Sequence, residues 1–157
     1  MMAQLLSIFN VLFSKNQQEN LVHDDSRIFL TSTHTTSGRI LMIEEEAYAV
    51  WAYLLNPDKE SIDFDGFLCA VVDPLSSDIH PYEITKGRRD APLPATFANK
   101  YSYIKNLKKK DIRVHWEKEC ATISIKKKKY LVMDINAKTS YSKALVKDCT
   151  YGKHLES

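Results

Sequence analysis

Apolar positions along the chain change period twice, and each change marks an element. Met2, Leu5, Leu6, Phe9, Leu12 and Phe13 fall at helical spacing, with Ile8 and Val11 widening the same face. This predicts an amphipathic N-terminal helix, followed by a polar linker over residues 16–25 that carries a Gln-Gln-Glu-Asn run. The period then shortens. Arg27 to Thr33 and Arg39 to Ile43 are short β-prone runs separated by Thr, Ser and Gly, the pattern of a hairpin. Glu44, Glu45 and Glu46 form an acidic connection into Ala47–Leu55, an aromatic run readable as a strand, or as a helix on its alanines. A further apolar run spans Phe64 to Asp73. None of these runs has the length of a crossover helix, which favours antiparallel pairing.

Four of the five prolines lie between Pro74 and Pro94, the best candidate for a long excursion. Beyond it, Phe97, Tyr101, Ile104 and Leu107 are spaced for a second helix over residues 95–110, with Pro94 at its entry. The late section is the clearest. Ile112, Val114 and Trp116 alternate with Arg113 and His115, and Ile123 with Ile125 and then Leu131, Met133 and Ile135 repeat the alternation. That is a three-strand meander. Residues 140–146 are readable as a strand or a short helix, and a free tail is expected from Tyr151. The sum is a single α+β domain over residues 26–150. It consists of one twisted antiparallel sheet of about five to seven strands, the N-terminal helix and one further helix. Residues 1–25 form an arm and 151–157 a tail.

Composition removes several chemistries. The four glycines, Gly38, Gly66, Gly87 and Gly152, are scattered, so no phosphate-cradling loop can form from them. Cys69, Cys120 and Cys149 are odd in number and widely spaced, which favours free thiols over a disulfide framework or zinc site. The five histidines show no metal-binding pairing; Asp78 and His80 are the nearest approach to one. Ser140 and Lys143 match a Ser-x-x-Lys pattern without the accompanying elements that its enzymes require. No catalytic set, metal or cofactor is therefore expected. Leu5–Phe13 has no basic residue before it and no small-residue cleavage site after it. At nine residues it is also too short to span a bilayer. A cytoplasmic protein is expected, its N-terminal helix docked on its own domain or used in a dimer or partner contact.

Charge adds what composition hides. The net charge is +2, yet residues 1–80 hold 4 basic and 12 acidic side chains, and residues 81–157 hold 18 and 8. Segregated charge of this kind suits a charged macromolecular partner. Two surfaces are candidates. Glu44, Glu45 and Glu46 with the aromatics Tyr48 and Trp51 would form an acidic protein-binding patch around aromatic anchors. The lysine runs, Lys105, Lys108, Lys109 and Lys110, then Lys126, Lys127, Lys128 and Lys129, would instead meet a phosphate backbone, with Tyr101 and Tyr103 as stacking surfaces.

The order of elements also resembles a known family. An acidic run enters an aromatic strand (Glu44 to Tyr53), and an apolar strand follows (Gly66 to Asp73). Next come an I-x-V-x-W strand with a charged turn (Ile112 to Glu119) and a Val-Met-Asp-Ile element (Val132 to Ile135). Over residues 37–144 this is similar to a small bacterial domain family of immunity-like proteins encoded among polymorphic toxin systems. The resemblance implies a non-enzymatic protein that binds a cognate toxin or effector and occludes its active site. It supplies no catalytic residues.

Overall fold

The computed structural model describes residues 27–76 and 90–156. Its first half is an antiparallel meander of β1 (Phe29–Thr33), β2 (Ile40–Glu45), β3 (Ala49–Leu55) and β4 (Ile62–Ala70). The second half is a meander of β5 (Ile112–Glu117), β6 (Cys120–Ile125), β7 (Lys128–Asp134) and β8 (Thr139–Ser142), closed by a short β9 (Lys153–His154) that pairs parallel to β8.

The two sheets pack face to face. Leu41, Ile43, Val50, Ala52, Leu54 and Leu68 of the first meet Ile123, Ile125, Leu131 and Met133 of the second in one buried cluster. Alternate residues of β2, β3 and β4 point the other way. Met42, Trp51, Tyr53 and Phe67 form a second cluster with Leu93, Leu145 and Tyr151 from the connecting segments. The first sheet is thus covered on both faces, and every residue of β3 is buried. This accounts for a strand, AVWAYLL, that shows no polar alternation. The second sheet has a solvent face, and β5 and β6 accordingly alternate.

The α+β expectation is overturned: the described residues are nearly all sheet, in two layers rather than one, and contain no α-helix. Residues 95–110, expected as a helix, hold a single-turn 3-10 helix, Ala95–Phe97, and the start of another, Lys109–Asp111. The reason is local and tertiary together. Asn99 Oδ1 accepts from the Tyr101 backbone N–H at 2.8 Å, an Asx turn that competes with helix. The Ser102 carbonyl accepts from Ala70 N, and Ile104 N donates to Ala70 O, so the segment pairs beside the end of β4. The apolar spacing that mimicked a helix is split, Phe97 going to the outer cluster and Tyr101, Ile104 and Leu107 to the intersheet one. Residues expected as a tail are also ordered: Tyr151 is buried and Lys153–His154 is β9. The expected N-terminal helix and most of the proline-rich excursion lie outside the described residues.

Candidate functional site

The acidic candidate closes the β2–β3 turn. Glu45 Oε1 accepts from the Ile28 backbone N–H at 3.2 Å, and Glu46 Oε1 accepts from the Tyr53 hydroxyl at 2.8 Å. Tyr48 is half-buried, its carbonyl accepting from Val71 N. Glu44 is half-buried and faces Trp51 across the β2–β3 ladder. Trp51 itself is fully buried, edge-on to Phe67 at 5.3 Å and stacked on Tyr151 at 5.8 Å. A partner could reach it only by opening the outer cluster, so Trp51 is a core residue and the acidic patch has no aromatic anchor there.

The lysine runs, sixteen or more residues apart in sequence, are brought to one end of the second sheet. Ile125 pairs with Lys128, so Lys126 and Lys127 alone make the β6–β7 turn. Both have positive φ, 49° and 70°. A two-residue turn of this kind favours Asn-Gly, because a side chain in left-handed backbone costs on the order of 1 kcal/mol. Lys126 N donates to Asp111 O at 2.8 Å, and Ile112 pairs with Ile125. The Lys109–Asp111 turn therefore sits beside the hairpin tip, and Lys108, Lys109, Lys110 and Lys126 to Lys129 are all exposed at this end. The nearby Asp111 carboxylate is occupied, accepting from the Lys108 backbone N–H at 3.1 Å. Among the described residues none of these lysines forms an ion pair.

Tyr101 extends this basic end. Lys143 Nζ lies 4.4 Å from its ring centroid, and Lys100 and Lys128 Nζ each lie 5.2 Å away. Tyr130 packs edge-on to the same ring at 6.3 Å. The Lys100 ammonium, with lesser contributions from Lys143 and Lys128, pulls the Tyr101 phenol below its usual pKa. Lys128 belongs to a run visible in the sequence. Lys100 and Lys143 do not: Lys100 directly precedes Tyr101 in the chain, and no sequence spacing links Lys143 to it. Tyr103, the other expected stacking surface, is half-buried in the bridge to Ala70.

The remaining candidates do not assemble. Ser140 lines a cavity of about 240 Å³ with Lys138, Tyr151 and Lys153, while the Lys143 ammonium sits on Tyr101. That cavity is smaller than the roughly 300 Å³ at which small-molecule sites begin. Among the described residues no three His, Cys, Asp or Glu side chains cluster as metal ligands. Asp78 and His80 lie outside the described residues. Cys69, Cys120 and Cys149 are free thiols, and burial raises the pKa of Cys69 and of Cys120. No described helix is long and apolar enough to cross a membrane. In comparisons with known proteins, no family model, curated protein or solved structure matches the chain.

Proposed function

We propose that this protein is a non-enzymatic binding module that holds a polyanionic macromolecule, in first place a nucleic acid, on the basic end of its second sheet. One observation carries the reading: Lys126 and Lys127 occupy left-handed turn positions, beside Lys108 to Lys110, with no carboxylate among the described residues paired to any of them. Strain tolerated in order to present charge is the pattern of a functional site. Lysines without carboxylate partners neutralise phosphates and release counterions, so affinity falls steeply with salt. A titration of single-stranded and duplex oligonucleotides at increasing salt tests this. Sub-micromolar binding at low salt, abolished by changing Lys126 to Lys129 to Ser, is the expected result. Binding that is absent at low salt, or indifferent to those four changes, overturns it.

A toxin-neutralising immunity protein is the second reading. Its support is that the segments carrying the resemblance fall, in order, on β2 with β3, on β4, on β5 and on β7. Such a protein would act by occlusion, with Glu44 and Tyr48 at its contact surface and a cognate toxin as partner. A toxin-like gene next to its own, and rescue of cells expressing that toxin, are expected on this reading. A rescue that survives the Lys126 to Lys129 changes would favour it over nucleic-acid binding.

A further inference from the structure

The Tyr101 cluster adds to the exposed lysine runs a ring and a lysine, Lys143, whose backbones are tied together by tertiary hydrogen bonds. Asn99 anchors it: its Oδ1 accepts from Tyr101 N, and its Nδ2 donates to the Lys143 carbonyl at 3.0 Å. Lys143 N in turn donates to the Tyr130 carbonyl at 2.8 Å, and Ser102 Oγ donates to the Ala144 carbonyl. The backbones that carry Tyr101 and Lys143 are thus tied together by buried or half-buried hydrogen bonds. Tyr130, two residues along β7 from Lys128, fixes the Tyr101 ring from its edge.

Three ammonium groups therefore converge on one phenol, and no carboxylate among the described residues pairs with Lys100, Lys128 or Lys143. Mutual repulsion of like charges opposes this arrangement, and the ring's cation-π attraction works against that repulsion. An anion seated among the three ammonium groups would relieve that repulsion. We propose that Lys100, Lys128 and Lys143, gathered around Tyr101, form a phosphate-binding subsite of the basic face, engaging a phosphate group of the bound nucleic acid. This assignment rests on the nucleic-acid reading for the source of the phosphate, and on the geometry of the cluster for its existence. The phenol hydroxyl adds a hydrogen-bond donor to three charged ones, a set suited to a tetrahedral anion rich in acceptors.

The experiment has two arms, each run on the full chain and on Lys143→Gln, Lys143→Arg and Lys118→Gln. Lys118 is an exposed lysine in the β5–β6 turn, at the other end of the same sheet, and serves as the charge control. In the first arm inorganic phosphate is titrated at constant ionic strength while the Tyr101 ring resonances are followed by NMR. A saturable shift is expected, weakened at least threefold in Lys143→Gln, restored in Lys143→Arg and unaltered in Lys118→Gln. In the second arm a labelled oligonucleotide is bound at several salt concentrations. Lys143→Gln is expected to lower the salt slope by about one contact's worth, and Lys118→Gln to leave it alone. Tyr101 resonances unmoved by both phosphate and oligonucleotide overturn the subsite, even if the lysine runs bind nucleic acid. Phosphate that shifts Tyr101 in a protein that binds no oligonucleotide upholds the subsite and defeats the nucleic-acid reading instead.

Discussion

Asp63 on β4 and Lys138 in the turn between β7 and β8 meet at 3.1 Å, an ion pair that joins the two sheets. The same carboxylate receives the Arg39 guanidinium at 2.8 Å, and Arg39 Nε also donates to the Leu55 carbonyl. Burial by itself would raise the Asp63 pKa. Hydrogen bonds from Arg39 and Lys138, with their charges, outweigh it and hold the pKa below the usual value of 3.8. A carboxylate depressed in the folded state stabilises above its unfolded pKa, and that contribution is lost as pH falls through the folded value. Asp63→Asn is therefore expected to cost about 2 kcal/mol at neutral pH. Urea unfolding of both proteins should show the difference intact down to about pH 5 and shrinking below about pH 4. A gap that persists unchanged at pH 2 would count against the ion pair as its source.

Gly66 on β4 lies where β7 crosses it. A Cβ at this position would stand 2.8 Å from Leu131 Cδ2 and 3.1 Å from Cδ1, and Leu131 is fully buried. Its side chain has little room to yield. Gly66→Ala should destabilise the protein by about 1–3 kcal/mol, the range of overpacked cores. Pairing with Leu131→Ala, which vacates the contested space, should make the two changes less than additive in a denaturation cycle.

Legibility followed the number of faces that each segment buries. The late meander, with one face in water, could be read from the alternation of Ile112, Val114 and Trp116. β3, buried on both faces, kept its identity open between strand and helix, and nothing in AVWAYLL separates the sheet-facing Val50 from the outward Trp51. Residues 95–110 misled for a different reason. Phe97 and Tyr101 keep helical spacing while packing in different clusters, and only the pairing to Ala70 shows it. For the candidate site, the two lysine runs were plain in sequence, whereas their meeting depends on the Lys126–Asp111 hydrogen bond. Lys100 is Tyr101's neighbour in the chain, whereas Lys143 joins the ring through a tertiary contact that no local pattern encodes.

Trp51 and Trp116 offer a direct optical test of which aromatic is internal. Trp51 is fully buried, whereas Trp116 is half-buried and its Nε1 donates to Ser32 Oγ at 2.9 Å, with His34 stacked 5.0 Å away. In Trp116→Phe the remaining emission should be blue-shifted and resistant to acrylamide quenching. Trp51→Ala should cost about 3–5 kcal/mol, as large aromatic truncations in cores do. Emission from Trp51 that is quenched as readily as free tryptophan would refute its placement in the core and revive it as a contact residue.

The β6–β7 turn allows stability and binding to be pulled apart in a single construction. Lys126 and Lys127, at φ 49° and 70°, stand where Asn-Gly would sit without strain. Replacing them with Asn and Gly keeps the two-residue loop and the Ile125–Lys128 pairing. The double change should raise stability by about 1 kcal/mol or more, since less strain is retained in the folded turn. It removes two charges from the basic end, so affinity for a polyanion should fall, and the salt slope should drop by about two contacts. Opposite signs in the two measurements are the signature of lysines kept for charge at the expense of backbone comfort. Higher stability with unchanged oligonucleotide affinity would mean that the strain serves something other than binding. Loss of stability would mean that the lysine stems pack at the tip more strongly than the turn geometry opposes them.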